Sequence, residues 1–208
     1  MFNSSVVVLT PGRTGSVLLA GHLARKKFGS FIVHLQTFED IDKIQWLRNV
    51  PSVFHSHNNF SVQELDYVTP IFSVRKNLVE ALISHALSNH LDQWHLSRND
   101  QRPNFDPVTL SFAEVNAVFQ SQQSWFDFNI KQLTPHSLVA VYEVLIDILP
   151  ADQAQYSRIY PDKQQLIMNY QQILEYVQSM IPQQMWDQHG EFCDYPARVG
   201  APRLYQYL

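Results

Sequence analysis

Apolar and polar residues follow two different periods along this chain. Residues 5–10 (SVVVLT) form a continuous β-branched run, the pattern of a strand covered on both faces in a parallel sheet. Pro11 and Gly12 end it. Val17, Leu18, Leu19, Leu23, Ala24 and Phe28 then recur at helical spacing as far as Gly29, and Lys26 and Lys27 suit the helix C-terminus. Further strands are expected over 31–35, 52–57, 69–74 and 137–142, and helices over 41–48 and 77–91. Ser111 with Glu114 three positions later predicts a capping box, opening a helix that runs to about residue 133 and closes at Pro135.

Residues 97–108 (SRNDQRPNFDPV) are dense in polar and turn residues and read as an exposed loop. Glutamine is abundant from 153 to 188. Leu166, Ile167, Tyr170, Ile173, Leu174, Val177 and Ile181 interrupt it at helical spacing, which marks a solvated helix face and not a low-complexity tract. Gly190, Pro196, Gly200 and Pro202 make residues 186–208 an irregular tail. The order of elements predicts an α/β fold, a central and mostly parallel sheet flanked by helices. The whole of 1–208 is expected to be a single domain, since domains usually span ~100–200 residues.

Charge and cysteine usage narrow the functional classes. Lys plus Arg number 15 against 19 Asp plus Glu, a formal net charge of −4, which removes the broad attraction to phosphate that a nucleic-acid binder needs. A small basic pocket stays compatible with that balance. The single Cys193 excludes an internal disulfide framework and a cysteine-rich zinc site, and fits a reducing compartment. The N-terminus lacks the basic region of a secretory signal, and no stretch approaches the ~20 apolar residues of a membrane span, so a cytoplasmic location is expected.

The sharpest chemical signal is a strand, then Pro11-Gly12-Arg13-Thr14-Gly15-Ser16, then a helix. Such a loop aims successive backbone N–H groups at one point of a helix N-terminus, where unpaired amides and the helix dipole favour an anion. Gly12 and Gly15 allow close backbone approach, Arg13 adds a planar charged fork, and Thr14 and Ser16 add hydroxyls. The expected ligand group is a phosphate or sulfate. Gly15 is followed by Ser16 and Val17 where the Walker A pattern has Lys and Ser or Thr, which argues against an ordinary ATPase or GTPase.

A second anion-binding element is expected at Arg75, which closes a strand (PIFSV), with Ser84 nine residues later on the following helix. Here the residues carry a resemblance. PGRTGSVLL after a first strand resembles the 5′-phosphosulfate loop of sulfotransferases, and VRKNLVEALIS resembles their 3′-phosphate motif, with a spacing like that of bacterial carbohydrate sulfotransferases. A Trp125-bearing helix leading into SLVAVYEVLID resembles that group's strand ending in Tyr-Glu. These segments stand in the family's order and cover roughly residues 5–147.

The resemblance implies a P-loop-NTPase-like sulfotransferase fold. It also implies a donor, 3′-phosphoadenosine 5′-phosphosulfate (PAPS), held by Gly12, Arg13, Thr14, Gly15, Ser16, Val17, Arg75 and Ser84, with no metal required. Val17 departs from the family, many of whose members have a second Ser or Thr there. The glycine- and lysine-rich cofactor loop of the cytosolic enzymes is missing from the C-terminal region, leaving Arg198 or Arg203 of the tail as candidate substitutes.

Sulfuryl transfer needs in-line positioning, stabilisation of charge on the leaving phosphate and, for a hydroxyl acceptor, a base. Arg13 is the candidate for the charge. His57 is the candidate base, because an imidazole of reference pKa ~6.5 suits proton abstraction near neutrality. His55-Ser56-His57 resembles the Lys-x-His strand end of cytosolic sulfotransferases, and strand alternation places both histidines on one face. Glu39 is the rival base, on the resemblance to a glutamate following the second strand.

His85, His90 and His95 step by five residues, ~500° around a helix, so a shared metal is not expected and they are read as surface residues. Residues 87–133 are expected to form the acceptor side, and Trp125, Phe126 and Phe128 its core or wall. The acceptor is a hydroxyl compound, carbohydrate or small metabolite. Two alternatives stand beside this: a divergent nucleotide kinase or other phosphotransferase, and a noncatalytic nucleotide-binding protein.

Overall fold

A computed structural model describes residues 5–28, 32–35, 51–59, 68–94, 105–148, 162–180 and 204. Five parallel strands form one sheet in the order β2-β3-β1-β4-β5. They are β1 (Ser5–Leu9), β2 (Ile32–Leu35), β3 (Val53–Ser56), β4 (Val68–Val74) and β5 (Leu138–Val141). The helices are α1 (Ser16–Leu23), α2 (Leu78–His90), α3 (Phe112–Asn129), α4 (Tyr142–Ile148), α5 (Lys163–Leu166) and α6 (Tyr170–Met180). A π-helical turn, Ala24–Phe28, continues α1, and a 3₁₀ turn, Ile130–Gln132, follows α3.

The apolar run that predicted β1 becomes the centre of the sheet. All five of its residues are buried, and Val8 lies in register with His55 on one side and Ile71 on the other. Alternation then sorts the two faces. Val6, Val8, Val53, Ile71, Leu138 and Ala140 pack with Leu19, Ala20 and Leu23 of α1 and Leu145 of α4. Phe72, one position out of phase with Ile71, meets Trp125 of α3 with ring centroids 6.5 Å apart. Each such aliphatic side chain contributes roughly 1.5–3 kcal/mol on burial. A second core joins Leu82 and Leu87 of α2 to Val115 and Phe119 of α3 and Ile173 and Val177 of α6.

The capping box forms as expected. Glu114 Oε2 accepts from the Ser111 N–H at 2.7 Å, and the Glu114 N–H donates to Ser111 Oγ at 3.2 Å. These bonds from Ser111, ahead of the neighbouring His90, hold the Glu114 carboxyl at about 2, below its usual 4.5. A depressed carboxylate pKa stabilises the fold above the unfolded value, and that stability is lost as pH falls from about 4.5 through about 2. Glu114→Gln is therefore expected to lower the urea midpoint at pH 7 and to leave it little changed at pH 2. An equal loss at both would show that the charge is not what matters.

Two strand ends differ from the sequence expectation, and both border the site. β3 stops at Ser56, placing His57 in a bend, and β5 stops at Val141, so that Tyr142 opens α4 instead of closing a strand. The expected helix over 41–48, Glu39, His95, most of the loop over 97–108, and Arg198 and Arg203 of the tail lie outside the described residues. Among the described residues no helix is long and apolar enough to cross a membrane.

Candidate functional site

The strand order itself selects one edge of the sheet. From β1 the chain passes to β2 and β3 on one side, then crosses to β4 and continues to β5 on the other. Open parallel sheets bind ligands outside the carboxyl ends of their strands, where the order reverses, and here that place lies between β1 and β4. The loop of Gly12 to Gly15 follows β1 and Arg75 follows β4. His57 follows β3, and Tyr142 and Glu143 follow β5. The candidate residues thus leave the same edge of four adjacent strands.

The loop after β1 is built from backbone that side chains avoid. Gly12 and Gly15 have φ of 97° and 69°, and Arg13, at φ 55°, is one of two described non-glycine residues in the left-handed region. Such a conformation at a non-glycine residue costs of order 1 kcal/mol and persists where its surroundings hold it. Arg13 is held by its guanidinium: Nε donates to Ser84 Oγ at 3.2 Å and Nη1 to the Trp94 carbonyl at 2.8 Å. Residues 71 positions apart in sequence are thereby joined, and the two expected anion-binding elements meet through Arg13 and Ser84. Arg75 and Ser84 share no hydrogen bond.

The hydroxyls do not face where the sequence reading aimed them. Thr14, 1% exposed, is hydrogen-bonded to the Thr10 hydroxyl and donates to Ser73 Oγ at 3.0 Å, while Ser73 Oγ donates to the Thr14 carbonyl at 3.1 Å. Ser16 is buried on His55 Nε2 at 2.8 Å. Both anchor the loop to the sheet. What the loop does present is the start of α1: Gly15 is its N-cap and supplies no side-chain cap, and the first turn holds no acidic residue. Its leading N–H groups therefore suit an external anion. Val17 is half-buried in that first turn.

The glycines also make room for side chains of the site. A Cβ on Gly12 would lie 3.0 Å from His85 Cε1 and 3.9 Å from His57 Nδ1, and one on Gly15 would collide with the Tyr142 ring. His57 is exposed, and its ring stands perpendicular to that of buried His55 at 4.7 Å, although His57 lies beyond the strand whose alternation was expected to pair them. His85 departs from the surface role expected of it. It packs beside Gly12 and edge-on to Trp94 at 5.1 Å, and its Nδ1 is hydrogen-bonded to Gln122 Nε2 at 3.1 Å. Burial, reinforced by the charges of Arg13 and His57, pushes His85 down to about 4, so its imidazole is neutral at neutral pH.

Arg75 is the other fixed cation. Its guanidinium lies 4.5 Å above the Tyr142 ring centroid, and its Nε is 3.5 Å from Glu143 Oε1. The same carboxylate accepts from the backbone N–H groups of Lys76 at 2.9 Å and Asn77 at 3.1 Å. Sequence reasoning gave Tyr142 and Glu143 no role. The signal was present as a Tyr-Glu pair after a buried apolar run. Trp125 is buried, Phe126 packs against it, and Phe128 is exposed. Among the described residues an open groove of about 510 Å³ runs between Asn59 and the outer face of α3, including Gln120, Ser124, Asp127 and Phe128. None of the loop residues lines it.

The described residues contain no group of three or more His, Cys, Asp or Glu placed to hold a metal ion. The chain matches no family model, no curated protein and no solved structure.

Proposed function

We propose that this protein is a sulfotransferase of P-loop-like fold, moving a sulfuryl group from PAPS to a hydroxyl on a carbohydrate or small metabolite. The observation that supports the reading is the Arg13–Ser84 contact, which joins the loop after β1 to the helix after β4, the two segments that resemble the phosphosulfate loop and the 3′-phosphate motif. The uncapped start of α1 and the clasped Arg75 then offer two cationic points to one ligand, as a nucleotide with phosphates at both ends of its ribose requires.

In this reading the N–H groups at the start of α1 hold the 5′-phosphosulfate, and Arg75 faces the 3′-phosphate. His57 removes the acceptor's hydroxyl proton as its oxygen bonds to sulfur. The bridging sulfur–oxygen bond breaks and its electrons pass to the departing 5′-phosphate, where Arg13 stabilises the charge. The products are a sulfate ester and 3′-phosphoadenosine 5′-phosphate. Glu39 is the base to test should His57 prove dispensable.

Calorimetry with 3′-phosphoadenosine 5′-phosphate tests the donor site. Binding is expected, weakened about 10–100-fold in Arg75→Ala by loss of a charge-assisted phosphate contact. No binding, or indifference to that substitution, would overturn the reading. Magnesium-dependent ATP binding that survives loss of Arg75 and Ser84 would point to a phosphotransferase. The inward Thr14 and Ser16 hydroxyls favour a second reading, a nucleotide-binding protein without turnover. Donor binding with no sulfate transferred across a broad hydroxyl panel would select it.

A further inference from the structure

A guanidinium recognises phosphate best when its donor fork is already aimed, because side-chain ordering otherwise costs affinity at the moment of binding. Arg75 is constrained on two of its surfaces. Its guanidinium carbon lies over the Tyr142 ring, and its Nε is turned to Glu143. Its side chain is 14% exposed, and among the described residues it makes no other hydrogen bond. The edge formed by Nη1 and Nη2 has no hydrogen-bond partner among the described residues, though the Glu80 carboxylate is near enough to feel the Arg75 charge, and an edge of this kind binds a phosphate through two parallel hydrogen bonds.

The clasp is itself fixed from several directions. Glu143 is seated by the Lys76 and Asn77 N–H groups at the entry to α2, so its carboxylate is held by the same turn that carries Arg75. Tyr142 is wedged into the space where Gly15 has no Cβ, so one face of the ring supports Arg75 while its edge meets the loop at the start of α1. The ring therefore sits between the two cationic points and spaces them. Tyr142 and Glu143 are both delivered by a single turn, the start of α4.

We propose that Tyr142 and Glu143 are positioning residues that aim the Nη edge of Arg75 at a phosphate monoester on the ribose of the bound nucleotide. This rests on the nucleotide reading above, and it assigns specificity for the second phosphate to the start of α4, outside both anion-binding segments. Neither residue need touch the ligand to do so.

The test compares affinity for 3′-phosphoadenosine 5′-phosphate with affinity for adenosine 5′-phosphate, which lacks only the 3′ group, by calorimetry on the full chain. Glu143→Ala is expected to reduce the ratio of the two about tenfold while leaving adenosine 5′-phosphate binding unchanged. Glu143→Gln keeps an oxygen for one of the backbone N–H groups and should fall between wild type and Glu143→Ala. Tyr142→Phe keeps the ring and should keep the ratio.

In an Arg75→Ala background, Glu143→Ala should have no further effect on the ratio. A structural role alone would weaken both ligands equally, and a carboxylate that merely competes with phosphate would make the ratio rise on its removal. Either result overturns the positioning role. If the wild-type ratio ignores Arg75→Ala, the nucleotide reading fails instead, which is a separate outcome of the same titrations.

Discussion

His57→Ala is expected to lower kcat for sulfate transfer ~10²–10⁴-fold, the usual worth of a positioned general base, with the Kd for 3′-phosphoadenosine 5′-phosphate held within about twofold. The separation of the two effects follows from where His57 stands. It is exposed, beyond the last paired residue of β3, and its removal opens no cavity in the core. Its Nδ1 nevertheless comes within reach of Gly12, beside the loop that would hold the phosphosulfate. Release of 3′-phosphoadenosine 5′-phosphate from PAPS, followed with a panel of sugar and phenolic hydroxyls, gives kcat. Full activity in the variant would move the role of base to Glu39.

Gly15→Ala is expected to cost the fold about 2–4 kcal/mol, because it adds a left-handed conformation at alanine to an overpacked contact. For a chain of this size that corresponds to a Tm lower by roughly 5–15 °C. Gly15 combines φ 69° with a Tyr142 ring lying where its Cβ would stand. A second variant separates the two costs. In a Tyr142→Ala background the collision is gone and only the backbone cost of roughly 1–2 kcal/mol remains, so the same substitution should lower Tm by about half as much. Equal losses in both backgrounds would mean that the ring gives way freely.

What the sequence made legible was whatever depends on local period and local chemistry. The apolar run of β1 and the Ser111–Glu114 box both act over a few residues, and each appears where its spacing put it. The strand order did not follow from the order of the elements, because pairing is decided by contacts between residues far apart in the chain. The same limit explains the hydroxyls of the loop. Thr14 and Ser16 have the right chemistry for an anion, yet Ser73 and His55 on neighbouring strands claim them, and nothing near position 14 or 16 announces those partners.

His85 was misplaced for a related reason. A helical step of five shows that three histidines diverge, but not that one of them meets a glycine more than seventy residues earlier. Glu143 was hidden by a one-residue shift: read as the residue beyond a strand, it has no evident work, and as part of a helix start it reaches back to α2.

The buried hydroxyl chain from the Gly12 N–H through Thr10 and Thr14 to Ser73 ties the loop to β4 of the central sheet. An incoming ligand would meet a cradle whose shape was settled when the chain folded, with little entropy left to surrender on encounter. Capture can then proceed without waiting for this segment to rearrange.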